Sequence, residues 1–177
     1  MKSYVENAYK NSQYRLVCQY SGVSAEDLAM LVLKNNVIAY ELPKTQTLGC
    51  TWDFRLHLAS GEVLAFSSKC TSVGGWEEVG SLSVALKAIA ADSDSDVFSK
   101  VSIEKFYIAN FSMLVYEEEN VYSESGICFT DVCGNELIVA ASPSPGAVSV
   151  DIPNIHTDFK PEFSVSDLKY KAMVSSQ

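Results

Sequence analysis

Cys50-Thr51-Trp52-Asp53-Phe54-Arg55-Leu56-His57-Leu58 alternates without a break. Cys50, Trp52, Phe54, Leu56 and Leu58 share one parity, while Thr51, Asp53, Arg55 and His57 share the other. Successive side chains of an extended chain point to opposite faces, so this stretch predicts a strand with one buried and one polar face. Ala59-Ser60-Gly61-Glu62 supplies a turn, and Val63 to Ser67 returns as the partner strand. Farther on, Gly126 to Val132 leads through Cys133-Gly134-Asn135-Glu136 into Leu137 to Ala141, a second strand–turn–strand unit.

Working outward from these hairpins, Tyr14 to Tyr20 is β-prone, Val37 to Leu42 reads as a strand stopped by Pro43, and Val101 to Tyr116 is a long sheet-like segment. Ala147 to Ile152 is a last strand candidate. Ser81 to Ala91 fits either a strand or a helix. Ser24 followed by Asp27 three residues on predicts a capped helix carrying Leu28, Leu31 and Val32 and ending near Asn35-Asn36. Ser164 or Ser166 would cap a short helix over Val165 to Met173. Together these predict an α+β, mainly β protein: an antiparallel sheet or sandwich built from hairpins, with one N-terminal helix and a short C-terminal helix. Residues 1–152 are expected to form one globular domain, with 153–177 an arm packed on it. No βαβ rhythm points to a doubly wound parallel sheet.

With 177 residues and 47% hydrophobic content the chain can bury a substantial core. Charged residues make up 20% and mean hydropathy is +0.07, values that exclude a disordered polyelectrolyte. Twenty-two acids against thirteen lysines and arginines give a net charge of −9. Displacing phosphate counterions needs clustered Lys and Arg, so nucleic acid and anionic membranes are discounted as partners. No apolar run approaches the ~18–20 residues of a membrane span. Five cysteines without a CxxC pair, behind a polar start from Met1 to Lys10, fit free thiols in a cytoplasmic setting.

The catalytic and metal signals are thin. His57 shares its polar strand face with Asp53 and Arg55, and no spacing selects a nucleophile for it; His156 lies in the arm. Cys128 and Cys133 flank a hairpin turn rather than a zinc knuckle. Asp92-Ser-Asp-Ser-Asp96 opens like a calcium loop, but Val97 and Ile103 stand where that loop needs Gly and Glu. Gly74-Gly75 lacks the Lys-Ser or Lys-Thr of a phosphate loop. The residues therefore predict a non-catalytic chain with no cofactor and no metal.

Two segments suggest binding instead. Trp76 between Gly75 and the pair Glu77 and Glu78 is a credible anchor, because tryptophan brings large contact area with few torsions to freeze. Glu117, Glu118 and Glu119, with Glu124 and Asp131, would make an acidic end beside the second hairpin. In size, charge and lack of catalytic signatures the chain resembles the acidic single-domain proteins that neutralise bacterial toxins. That resemblance implies an immunity or inhibitor protein whose acids cover a basic protein partner. The alternative expectation is a sheet or barrel that takes a small ligand among its aromatics.

Overall fold

The structure, a computed structural model, describes residues 8–10, 12–75, 77–87 and 96–173. Two sheets face each other across one core. The first holds β1 (Ala8–Lys10), β2 (Gln13–Leu16), β9 (Asn110–Glu117), β10 (Val121–Thr130), β11 (Glu136–Ala141), β12 (Val148–Asp151) and β13 (Lys169–Ala172). The second runs β3 (Gln19–Ser21), β7 (Glu78–Lys87), β6 (Val63–Ser72), β5 (Phe54–Leu58), β4 (Asn36–Pro43) and β8 (Phe98–Tyr107). The chain is mainly β and its sheets are mixed: β2 lies parallel to β10 and β3 parallel to β7, while the other pairs are antiparallel.

β10 is the axis of the first sheet. β9 follows one of its edges. The other edge is shared, with β2 beside Val121–Ser123 and β11 beside Gly126–Thr130. The register against β9 shifts between Glu124 and Gly126, where one neighbour hands over to the other. β10 and β11 are buried on both faces, which is why Leu137-Ile138-Val139-Ala140-Ala141 reads as a continuous apolar run rather than an alternation.

The inner core is threaded by aromatic rings. Tyr40, Phe54, Phe66, Phe129 and Phe111 follow one another at centroid distances of 6.1, 6.1, 6.4 and 5.8 Å, crossing from the second sheet to the first. α1 (Ala25–Val32) adds Leu28, Ala29 and Val32 to this core. The Ser24 side chain accepts the Asp27 amide at 3.1 Å, as its sequence predicts. The helix stops earlier than its spacing suggests: Leu33 is already extended, and Lys34, at φ 65°, donates its amide to Ile108.

A second apolar layer lies on the far side of the first sheet. Leu114, Cys128, Ile138 and Ala140 are covered there by Phe159, Phe163, Val165 and the buried Leu168 of the C-terminal segment. The helix expected over Val165–Met173 is replaced by a single 3-10 turn, Val165–Asp167, followed by β13 on the edge of β9. Ser164 makes no capping bond; its hydroxyl meets that of Ser166 at 2.9 Å.

Two other expectations are corrected. Tyr14 to Tyr20 is not one strand, because the chain leaves the first sheet after Leu16 and joins the second at Gln19. The Cys18 amide at this crossing is taken by the Glu124 carboxylate at 2.8 Å. The alternation from Cys50 holds only from Phe54 onward: Thr51 is bridged to Val148 and buried, and Trp52 is 63% exposed. Ser81 to Ala91 resolves as strand up to Lys87, and Ala88 to Ala91 lies outside the described residues. Along β4, Val37 and Ala39 are two residues apart while their partners Phe106 and Ser102 on β8 are four apart, so β8 bulges and does not offer a flat edge.

Emptying the middle of the ring series should be felt by the whole fold. Phe129→Ala is expected to cost ~3–5 kcal/mol, read as a lowered urea midpoint with an unchanged slope.

Candidate partner-binding surface

Two hairpin turns point out of the same end of the molecule. Gly74 at φ +110° and Gly75 at φ +59° make the β6–β7 turn, a backbone path that favours glycine. The Val73 amide closes it on Glu77 O at 3.1 Å. The β9–β10 turn carries Glu117, Glu118 and Glu119, and is closed by the Glu118 amide on Val121 O at 2.8 Å. Between the turns lies an apolar floor of Leu16, Val73, Val79 and Val121, with Tyr14, Tyr116 and Phe163 partly buried at its margin. The Tyr116 and Phe163 rings stack, with centroids 3.7 Å apart.

Tyr116 is where the acids meet. Glu118 acts on its hydroxyl most strongly, burial and the charges of Asp167 and Glu77 add to that effect, and its pKa is pushed up to about 12. Glu77 comes from the foot of β7, Glu118 from the β9–β10 turn and Asp167 from the 3-10 turn, so three separate segments set negative charge around one ring. Lys169 reaches Glu117 at 3.0 Å, an exposed pair of little strength.

The six residues read from the sequence are thus only partly united. Glu77 and Glu118 share the Tyr116 site. Glu117 is held by Lys169, and Glu119 is exposed on the same turn. Glu78, next to Glu77, faces the other way and accepts the Cys70 thiol at 3.4 Å. Trp76 lies outside the described residues. Glu124 does not join this end: it is occupied by the Cys18 amide, by the Tyr122 hydroxyl at 3.0 Å and by Lys171 at 3.7 Å. Asp131 sits at the opposite end of β10, its carboxylate accepting the amides of Cys133 and Asn135. Asp167 and Phe163 were not singled out from the sequence, and no local signal marks them, since they reach Tyr116 only through the path of the arm.

Elsewhere, His57 Nε2 faces Glu41 at 3.0 Å, Arg55 binds Asp53 at 2.9 Å and lies 3.7 Å over the Phe98 ring, and Lys87 reaches Asp53 at 3.3 Å. This is a charge ladder across the outer face of the second sheet, and the partner of His57 is a carboxylate rather than a hydroxyl or thiol. Of the acidic run from Asp92, only Asp96 lies within the described residues. Among the described residues no group of three or more His, Cys, Asp or Glu is placed to hold a metal ion, and no helix is long and apolar enough to cross a membrane.

The described cysteines are free. Burial pushes the thiols of Cys18 and Cys128 up to about 12, and that of Cys70 up to about 11, keeping them protonated at neutral pH. Iodoacetamide applied to the native protein is therefore expected to label exposed Cys133 first and to leave Cys18, Cys70 and Cys128 unlabelled until the chain is unfolded, as peptide mass spectrometry would show. Set against known proteins, the chain matches no family model, no curated protein and no solved structure.

Proposed function

We propose that this chain is a non-catalytic protein-binding module that docks a basic protein partner on its acidic end, in the manner of an immunity or inhibitor protein covering a toxin. The observation that carries this reading is the negative charge that Glu118, Asp167 and Glu77, from three separate segments, bring to bear on Tyr116. Like charges gathered at one place repel one another, and a partner's lysines and arginines relieve that repulsion while being steered toward it. The apolar floor and the stacked Tyr116 and Phe163 rings supply the contact area that charge alone lacks. Such acids could stand in for the phosphates or carboxylates of a toxin's own substrate.

The alternative of a ligand held between the sheets gains no support from the core. Phe54, Phe66, Phe111 and Phe129 are in mutual ring contact there and at most 1% exposed. Docking on the outside is the reading favoured by the geometry.

The test is capture of proteins from source cells on the immobilised chain at low and high salt, followed by binding measurements with the purified partner. A basic protein released by salt is expected. Glu77→Lys, Glu118→Lys and Asp167→Lys together should weaken it by ~10–100-fold, chiefly through a slower association rate. Asp131→Lys, at the opposite end, should leave it unchanged. A partner indifferent to salt and to the triple reversal would refute the reading.

A further inference from the structure

Thr71 is a polar residue set in the apolar floor of the acidic end. The register of β6 on β7 places it opposite Val79, and the bond that closes the turn places Val73 opposite Glu77. Cross-strand partners share a sheet face, and so do residues two apart on one strand. Thr71, Val73, Glu77 and Val79 therefore lie on one face of the hairpin, the face whose two valines belong to the floor. Thr71 is 7% exposed, and its hydroxyl has no hydrogen-bond partner among the described residues. A hydroxyl buried in this state has lost its bonds to water and gained none in return. The hydroxyls of Ser81 and Ser125 are also buried without a partner. Ser81, however, stands beyond Val79 on the rung of Lys69, and Ser125 lies at the register shift of β10. Of the three, Thr71 is the one beside the floor valines and Glu77.

A group that fits this place has to bring three things. It needs positive charge for Glu77, Glu118 and Asp167, hydrogen-bond donors for Thr71, and flat apolar surface for the partly buried rings of Tyr14, Tyr116 and Phe163. A lysine ammonium is a compact, strongly hydrated point charge that is satisfied by the nearest acid and gains little from rings. A guanidinium is planar and weakly hydrated, carries five N–H donors in a fixed fork, and lies readily against aromatic faces. Its donors can be divided between carboxylates at the rim and a hydroxyl below. The step from the Glu77 rung to the Thr71 rung is two residues, roughly 7 Å of strand, which an extended arginine side chain spans.

We propose that the acidic end is an arginine seat, in which the guanidinium of a partner protein's arginine enters between the β6–β7 and β9–β10 turns, donates to Thr71 Oγ1 and pairs with Glu77, Glu118 and Asp167 at the rim. This rests on the proposed function and narrows it. The partner is a protein that presents arginine, rather than lysine, at the centre of the contact, and the Thr71 hydroxyl makes the distinction.

The test is calorimetric titration of the full chain with hexa-arginine and with hexa-lysine, two probes of equal side-chain charge at neutral pH. Hexa-arginine is expected to bind ~10-fold more tightly. Thr71→Val keeps the shape and removes the hydroxyl. It should weaken hexa-arginine several-fold and leave hexa-lysine as before. The free variant should melt no lower than the unaltered chain, because an unpaired buried hydroxyl gives the fold nothing. Ser81→Ala, which removes a buried hydroxyl away from the seat, should bind both peptides as the unaltered chain does. The seat is overturned if neither peptide binds, if the two bind alike, if Thr71→Val keeps the full arginine preference or melts lower, or if Ser81→Ala loses that preference too. In each of these cases the salt-released partner and the triple charge reversal still decide the partner-binding reading by themselves, so the two fail separately.

Discussion

The two sheets and the arm are tied together at one residue without a side chain. The Gly80 carbonyl accepts the Ser123 hydroxyl of β10 at 2.7 Å, and its amide serves Glu162 of the arm. Ala141, the last residue of β11, packs against the same point. Strands from facing sheets ordinarily stand apart by the depth of their interleaved side chains, about 10 Å. Here β7 approaches β10 closely enough for a serine to bridge them. The hairpin ends beyond this point, with Glu77 on one side and Glu118 on the other, are brought together as a result.

How much of this was legible depends on the range of the interaction. Leu56 and Leu58 alternate with Arg55 and His57 because a local, two-residue period decides which face is buried, and that strand was readable. So were Ser24 and Asp27, whose capping bond spans three residues. Trp52 was misread because the bridge from Thr51 to Val148 comes from almost a hundred positions away and turns the backbone before the strand begins. Val165 to Met173 looked helical on spacing, yet the free edge of β9 offered Lys169–Ala172 a ladder of hydrogen bonds that a short, uncapped helix could not match. In the candidate site, Glu77 and Glu118 were visible as parts of acidic runs, while Asp167 and Phe163 depend on where the arm lies and carry no local pattern.

The net charge of −9 also means something different once each acid is placed. Glu124 holds the crossing from β2 to β3, Glu41 and Asp53 belong to the ladder with His57, Arg55 and Lys87, and Asp131 shapes the β10–β11 turn. Glu41, Asp53 and Glu124 are paired with cations and add little to an outward field, whereas Asp131 is held by neutral amides and keeps its charge. Other acids, among them Glu26, Asp96, Glu104 and Asp158, are exposed elsewhere, so it is the grouping of acids at the Tyr116 end rather than the overall charge that would give direction to an encounter.

Placement is also what would make so few charges effective. Glu118 stands on a turn closed by its own amide, Glu77 on a turn closed from both sides, and Tyr116 is fixed by its stack on Phe163. Ordering a flexible side chain on binding costs about 0.5–1.5 kcal/mol, a loss that groups already held by the free protein largely avoid. β9 and β10, which carry the turn, are anchored in the double-sided core through Leu114 and Cys128 on one face and Met113 and Ile127 on the other. The rigidity of the acidic end is thus inherited from the burial of both faces of the first sheet, and the arm that covers its outer face supplies the third acid as well.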